Sequence, residues 1–251
     1  MMQRVLLIAV LALVIAGCGR KGPLVPPEAM VPAAIADLRV EQQGERVIVS
    51  WTQPGREEAG GPLKDLAGFR VFRREVLPPG EDCEECPTAY RLIQTVDPEY
   101  LQHVVRVGNS YSFVDTGLEP GKTYQYKVVT FKADGSESKQ SNLARRKKVA
   151  PPPPPVVQAA SSPTGVVLRW EPVTVAKNST LLGYQIYRRK AGGAAALPVT
   201  GKPIQETSFE DMRLEHGVKY GYTVRTVAKV DGETVEGDPS NEVTGQLTEP
   251  E

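Results

Sequence analysis

The chain has 251 residues and carries 30 basic and 30 acidic side chains, so its formal net charge is zero at pH 7. A neutral chain lacks the broad positive surface of nucleic-acid-binding proteins, because that binding depends on neutralising many phosphates. The length is sufficient for two domains of ordinary size, each with its own core. We therefore expect no nucleic-acid partner and two folded units.

The first residues are organised like an export signal. Arg4 supplies a short positive region, and residues 5–15 form an uninterrupted apolar run that ends just before Cys18. As a helix this run rises about 16 Å, which is too short for a hydrocarbon core of about 30 Å. The pattern predicts a signal peptide over residues 1–17. An ordinary secretory signal that happens to precede a cysteine is the alternative.

The four residues Ile-Ala-Gly-Cys that end at Cys18 match the lipobox, and the chain resembles bacterial lipoproteins. The resemblance implies cleavage before Cys18 and lipidation of its thiol, with acyl chains such as palmitate holding the protein on a membrane. In well-studied Gram-negative systems an aspartate after this cysteine favours the inner membrane. Gly19 therefore implies the outer membrane, with the protein facing the periplasm or the cell surface. The proline-rich residues 18–31 are predicted to form an extended tether.

Residues 18–24 read Cys-Gly-Arg-Lys-Gly-Pro-Leu. This segment is similar to the start of small lipoproteins that assist assembly of the lipopolysaccharide-transport translocon in the outer membrane. The resemblance implies that Lys21, Gly22, Pro23 and Leu24 contact a partner in that machinery. The alternative is a generic basic tether that lies on anionic lipid headgroups.

The rest of the chain contains two copies of one pattern. The matching blocks are residues 47–51 and 166–170, 68–74 and 183–189, 112–126 and 208–222, and 141–142 and 240–241. Apolar and polar residues alternate within the blocks with period two, as in half-buried strands. Turn signals such as Asp134-Gly135 and Asp231-Gly232 separate the strands. This order predicts an all-β chain with two tandem Greek-key β-sandwiches.

Both copies resemble the fibronectin type III family, over nearly all of residues 32–248. The residues that carry the resemblance are Trp51 and Trp170, Leu118 and Leu214, and Tyr124 and Tyr220. The resemblance implies that each indole fills the space between two sheets. It also implies that each tyrosine hydroxyl ties a crossing turn to the backbone.

These repeats predict domains at residues 32–150 and 156–248, joined by a polyproline linker at 151–155. Five prolines in the polyproline II conformation extend about 15 Å and form a stiff rod. We therefore expect the linker to hold the two domains apart.

The first copy carries an insertion. Phe72 to Phe113 spans 41 positions, whereas Tyr187 to Phe209 spans 22, so the first copy has nineteen more residues. Unusually long loops often carry function. Residues 75–90 within this insertion are the predicted contact surface for an envelope protein partner.

Cys83 and Cys86 lie in this loop, and in an oxidising periplasm a local disulfide is expected. A redox pair is one alternative, although the neighbouring acidic residues Asp82, Glu84 and Glu85 would disfavour a reactive thiolate. A metal site is another alternative, with His103 as a further ligand.

Catalytic arrangements have little support. The chain has two histidines, His103 and His216, and Glu57-Glu58 sits in a polar loop without a recognisable partner pair. We predict no catalytic residue, no enzyme activity, no resident metal and no cofactor. The predicted function is a non-catalytic interaction or spacer module of the cell envelope, with an accessory role in translocon assembly as the alternative. A carbohydrate-associated role is a third hypothesis, since modules of this type accompany secreted glycan-degrading enzymes.

Residues 145–148, Arg-Arg-Lys-Lys, form the one dense basic run of the chain. Two interpretations are open. The run contacts lipid phosphates near the membrane, or it protects an edge strand from pairing by its charge.

Overall fold

The computed structural model describes residues 30–86, 88–193 and 196–249, and all regular structure within them is β-strand. The strands are β1 (Arg39–Gln43), β2 (Arg46–Thr52), β3 (Leu66–Val76), β4 (Arg91–Val96), β5 (Val104–Val107), β6 (Ser110–Asp115), β7 (Thr123–Lys132), β8 (Ala144–Lys147), β9 (Val157–Ser161), β10 (Val166–Trp170), β11 (Ser179–Lys190), β12 (Leu197–Pro198), β13 (Ser208–Asp211), β14 (Tyr220–Val230), β15 (Glu233–Glu236) and β16 (Val243–Gly245). The predicted all-β fold is confirmed. Within these ranges no helix has the length and hydrophobicity needed to cross a membrane.

Each copy of the repeat folds as a two-sheet sandwich. In the first, strands β1-β2-β6-β5 face strands β4-β3-β7-β8. In the second, strands β9-β10-β13 face strands β12-β11-β14, and β14 also pairs with both β15 and β16. The period-two pattern of the sequence explains this arrangement, because Val47, Val49 and Trp51 all point from β2 into the first core.

Tryptophans fill the two cores as predicted. Trp51 is 1% exposed and meets Phe69 edge-on at 5.6 Å between ring centroids. Trp170 meets Tyr184 in the same way at 5.3 Å. Such aromatic pairs add about 0.5–1.5 kcal/mol each beyond the burial of their surface.

The predicted tyrosine ties are present in both domains. The hydroxyl of Tyr124 accepts a hydrogen bond from the backbone N–H of Glu119 at 3.0 Å. The hydroxyl of Tyr220 accepts the equivalent bond from Glu215 at 3.3 Å. Each bond fixes the turn that leads into the strand carrying the tyrosine.

A buried carboxylate is the second repeated feature, and the sequence analysis did not identify it. Asp115 accepts hydrogen bonds from Arg73 at 2.8 Å and from the hydroxyl of Tyr126 at 2.9 Å. Burial and the nearby carboxylate raise the pKa of Tyr126, so its hydroxyl stays protonated and donates. Asp211 repeats the arrangement in the second domain, with Arg188 at 2.8 Å and Tyr222 at 3.0 Å.

The repeated Ser-Asn pair joins strands across each sandwich. Asn142 accepts a hydrogen bond from Leu38 N at 2.9 Å and donates one to Leu38 O at 2.8 Å. Asn241 makes the same two bonds with Val157, both at 2.9 Å. This asparagine therefore ties the end of each domain to its beginning through a pair of backbone-like bonds.

The two domains share one sheet. Strand β1 of the first domain pairs in parallel with β15 of the second, with Gln43 opposite Glu236. The backbone N–H of Gly44 donates to Glu236 O at 2.7 Å, and the side chain of Gln43 donates to the Glu236 carboxylate at 2.8 Å. The resulting sheet runs from β12 in the second domain to β5 in the first.

The basic run supports this junction. The Arg146 side chain is 9% exposed, donates to Thr234 O at 2.6 Å and lies 3.1 Å from the Glu233 carboxylate. Lys147 reaches across the same boundary to Asp231 at 3.0 Å. Two consecutive residues of β8 therefore bind the second domain.

The other two basic residues bind within the first domain. Lys148 is buried and donates to the Glu45 carboxylate at 2.8 Å, and Arg145 donates to Glu84 at 2.7 Å. Strand β8 is an edge strand of its sheet, as one interpretation proposed. The lipid-contact interpretation is wrong for Arg146 and Lys148, because their charges are buried in ion pairs inside the protein.

The expectation that the polyproline linker holds the domains apart is also wrong. Val149, just before the prolines, packs into a small apolar cluster of the second domain with Ala228, Val230 and Val235. Thr226 donates a hydrogen bond to Pro153 O at 2.6 Å. A Cβ on Gly237 would lie 2.3 Å from Pro152 O, so this glycine permits the close approach. The linker therefore lies against the second domain.

Replacing Arg146 with alanine should lower the free energy of unfolding by about 1–3 kcal/mol, because the Thr234 carbonyl and the partly exposed Glu233 carboxylate lose their partner on β8. Urea unfolding followed by circular dichroism measures the change. The control is Arg145→Ala on the same strand, whose side chain is 54% exposed and does not contact the second domain. It should cost less than about 1 kcal/mol. Equal losses in the two variants would contradict the role assigned to Arg146.

Candidate interaction site

Residues 77–90 connect β3 to β4 at one end of the first sandwich. Strand β3 continues through Val76, so positions 75 and 76 of the predicted surface belong to that strand. Tight turns shape the loop, since Glu81 N donates to Pro78 O at 3.1 Å and Ala89 N to Cys86 O at 2.9 Å. The predicted disulfide between Cys83 and Cys86 is present.

Arg74, near the end of β3, fastens the loop to the sandwich. Its side chain is 2% exposed. The guanidinium donates to Asp82 Oδ2 at 3.1 Å and to Glu84 at 3.2 Å in the loop, and to Gln125 on β7 at 2.8 Å. A buried guanidinium is tolerated only when its donors are satisfied, and two of the four carboxylates of the loop, Asp82 and Glu84, serve that need.

The Asp82 carboxylate is held in its charged state. The hydrogen bond between Arg74 and Asp82 lowers the pKa of Asp82 and raises the pKa of Arg74. Asp82 also accepts a hydrogen bond from Leu77 N at 3.1 Å, which closes the first turn of the loop. Glu84 is shared between Arg74 and Arg145. Asp82 and Glu84 are thus committed to arginines.

An open depression of about 490 Å³ lies between the loop and the end of the sandwich. Charged side chains of both signs line it, among them Glu81, Arg91 and Glu119. Small-molecule sites are mostly apolar and enclosed, whereas this surface is open and polar. Its chemistry suits hydrogen bonds and ion pairs with the surface of another protein.

The second domain lacks this arrangement. Arg189, which matches Arg74, donates to the Glu242 carboxylate at 2.7 Å. In the loop that follows β11 it donates to a backbone carbonyl, Gly193 O at 3.2 Å, and among the described residues of that loop to no carboxylate. Gly221 stands where the first domain has Gln125, and a Cβ there would lie 2.6 Å from Glu242. The fastened loop is therefore specific to the first domain.

The remaining predicted residues lie elsewhere. Cys18 and the segment of Lys21, Gly22, Pro23 and Leu24 fall outside the described residues. His103 is exposed, precedes β5 and lines a different depression from the cysteines. In the described part of the chain no group of three or more His, Cys, Asp or Glu side chains is placed to hold a metal ion.

Sequence reasoning identified the loop and missed its anchor. The pair Arg73-Arg74 recurs in the second copy, so the repeat offered no reason to assign Arg74 a role of its own in holding the loop. One signal was available, because Gln125 differs from the glycine of the second copy and faces Arg74 across neighbouring strands. A polar residue at one copy of a buried repeated position indicates a local partner.

Replacing Asp82 with asparagine should release the loop, because Arg74 loses its principal carboxylate while the shape is kept. Hydrogen exchange read by mass spectrometry should show faster exchange in residues 77–90 and unchanged exchange in β3. The matched control is Glu81→Gln, whose exposed carboxylate makes no hydrogen bond within the described residues. Unchanged exchange in the Asp82 variant would remove the basis for the anchor.

Acid should release the loop in the unaltered protein. The pKa of Asp82 is lowered below its usual 3.8 in the folded state, so its stabilising contribution is complete above that value. The contribution is lost as the pH falls through the lower folded-state pKa. Exchange in residues 77–90, corrected for the intrinsic rate, should therefore rise only below about pH 4. A rise already complete at pH 6 would assign the transition to another group.

Comparison with known proteins places these features in context. A Kelch domain-containing protein of Saccharolobus solfataricus is 29% identical over 126 residues, which make up 50% of this chain and 17% of that protein. The FN1–FN3 domains of chicken CNTN1 are 22% identical, with 85% of this chain and 65% of that chain covered and a TM-score of 0.37. The chain spans less than two thirds of either protein.

Two family models match the chain. The conserved region of the LPS-assembly lipoprotein LptM matches residues 5–27. The fibronectin type III domain matches residues 33–144 and again residues 150–246, which together make up most of the chain. The chain therefore belongs to the fibronectin type III family, with two such domains behind an LptM-type lipoprotein segment.

Proposed function

We propose that the protein is a membrane-anchored lipoprotein of the bacterial envelope whose two domains act as one non-catalytic interaction unit. The observation that carries the proposal is the shared sheet, in which β1 and β15 join the two sandwiches. A continuous sheet with the buried Arg146 side chain bonded across its junction makes a stiff unit. Such a unit presents its loops at a defined position relative to the lipid anchor.

The buried polar groups support a non-catalytic role. The carboxylates of Asp115 and Asp211 are engaged in structural hydrogen bonds to arginine and tyrosine. Glu57, one of the acidic pair singled out in the sequence, binds Lys132 at 3.0 Å. Fibronectin type III domains are typically binding modules, and function must be argued from the site. The fastened loop at residues 77–90 is the surface that we assign to a protein partner.

The lipid anchor determines where in the cell envelope the protein is located. Under this proposal lipid on Cys18 holds the chain, and Gly19 directs it to the outer membrane, where it faces the periplasm or the cell surface. The match to the LptM conserved region over residues 5–27 supports lipidation at this point. Cys18→Ala should abolish palmitate incorporation and release the protein from the membrane fraction. Palmitate labelling that persists in this variant would place the lipid elsewhere.

A photo-crosslinking amino acid at Glu81, on the rim of the depression, tests the interaction surface in intact cells. It should give a discrete adduct with one envelope protein. The adduct should weaken when Asp82→Asn releases the loop. The control position is Lys177, an exposed residue of the second domain. Absence of any protein adduct at Glu81, or the same adducts at both positions, would contradict the assignment.

A second candidate function is an accessory role in lipopolysaccharide assembly, and the LptM match is the observation that favours it. Under this proposal Lys21, Gly22, Pro23 and Leu24 contact the outer-membrane translocon. The folded domains then extend from a segment that engages the machinery near the membrane.

Replacing Lys21, Gly22 and Pro23 together by alanine should reduce the amount of assembled translocon and the lipopolysaccharide at the cell surface. Palmitate labelling should be unchanged, because Cys18 and the preceding residues are intact. Glu28→Ala is the matched control, since Glu28 lies in the same tether just beyond the matched residues. Normal assembly in the triple variant would refute the role while leaving the crosslinking proposal unaffected.

A further inference from the structure

Strand β5 is an addition to the first domain. It lies within the insertion that the second domain lacks, and it pairs with β6 through four residue pairs. A two-residue turn joins the two strands, with Gly108 in the left-handed region at φ 59°. The strand forms the end of the sheet that runs through both domains, and no other strand of the described residues lies on its outer side.

The outer side of β5 presents backbone groups. The residues that flank a two-residue hairpin turn form a hydrogen-bonded pair, here Val107 and Ser110, and such pairs alternate along an antiparallel ladder. Val105 and Ser112 therefore form the next bonded pair. The N–H and C=O groups of Val104 and Arg106 consequently point away from β6, where a further strand could bind them.

Two of the other sheet edges among the described strands are protected. Strand β8 carries Arg145 and Lys147, and β12 has two residues of which one is Pro198. Charges, prolines and short edges are the usual protection against strand addition. On β5, by contrast, Val105 is 62% exposed and Val107 is 74% exposed.

The surroundings of β5 are apolar and basic. A depression of about 320 Å³ over β2, β6 and the start of β5 is lined by Ile48, Val105 and Val114 together with Arg46 and His103, and by no acidic residue. The Arg106 guanidinium lies over the Tyr111 ring at 5.3 Å and donates to Gly108 O at 2.9 Å. Within the described residues it has no carboxylate partner. A ligand here must supply apolar side chains and negative charge.

A second copy of this chain fits this surface poorly. Two β5 strands that pair through the outward groups of Val104 and Arg106 place their two Arg106 side chains opposite or diagonal to each other. Like charges at such positions destabilise an added strand. An added strand that carries a carboxylate opposite Arg106 is stabilised by the opposite charge instead.

We propose that the free edge of β5 takes up an extended acidic segment of another envelope protein as an added strand. The backbone of this segment hydrogen-bonds to the backbone groups of Val104 and Arg106. Its apolar side chains lie beside Val105 and Val107, and one of its carboxylates faces Arg106. This recognition mode draws its affinity from main-chain bonds and its specificity from alternate side chains. The surface shares no lining residue with the depression at residues 77–90, so it goes beyond the proposed function.

Three fluorescein-labelled peptides test the proposal by anisotropy with the full chain in detergent micelles. The first alternates valine and glutamate over eight residues. The second has lysine for glutamate, and the third is the acidic peptide with one central valine replaced by proline. The acidic peptide should bind at least about tenfold more tightly than either of the others, since opposite charge and an intact ladder are both required.

Arg106→Glu should exchange the preference, so that the lysine peptide binds more tightly than the acidic one. The matched control is Arg213→Glu, which reverses an exposed arginine of the second domain and should leave the preference unchanged. Thermal melts establish that each variant is folded. Equal binding of the proline peptide, or the same loss in both variants, would reduce the effect to general charge attraction and overturn the proposal. If the chain self-associates and Arg106→Glu changes the strength of that association, the edge binds a second copy of the chain instead.

Discussion

The junction between β1 and β15 is the constraint on which the architecture depends. It needs Gly44, because the backbone there has a φ of 61° and a Cβ would lie 1.8 Å from Asp238 Oδ1, while the N–H of Gly44 donates to Glu236 O. It also needs Arg146, whose buried guanidinium satisfies a carbonyl and a carboxylate of the other domain. Because these bonds are directional and the Arg146 side chain is buried, they hold the sandwiches in one orientation. The polyproline segment then packs along the second domain.

Comparing the two domains distinguishes bonds that the fold requires from features that one domain has acquired. Both domains keep the same tyrosine tie, the same buried aspartate with its arginine and tyrosine, and the same asparagine bridge. These bonds satisfy buried polar groups that any copy of the fold must bury. The largest difference in length is the insertion of the first domain. One part of it became a loop fastened by Arg74, and another became the edge strand β5, so a common scaffold carries two surfaces that its twin lacks.

Sequence patterns predicted the repeated features because they depend on local chemistry. Alternation of apolar and polar residues specifies which side of a strand is buried, so Trp51 and Trp170 were assigned to cores that the structure confirms. The cysteine spacing and the oxidising compartment predicted the disulfide. Arg74 binds Gln125 from 51 positions away and Arg146 binds Thr234 from 88, which are separations over which no local pattern acts. The basic run was therefore assigned to lipid or to a bare edge, and neither interpretation anticipated its bonds to the second domain.

The amino-acid sequence by itself determined the class of the fold, the duplication, the tryptophan and tyrosine positions and the presence of an inserted loop with a cysteine pair. These follow from periodicity, turn chemistry and residue type, which act over a few neighbouring residues. Only the tertiary structure decided that the domains share a sheet, that the prolines pack instead of separating, and that β5 is left as an open edge. Those outcomes depend on which distant groups meet and satisfy one another when buried, and that depends on the folded chain as a whole.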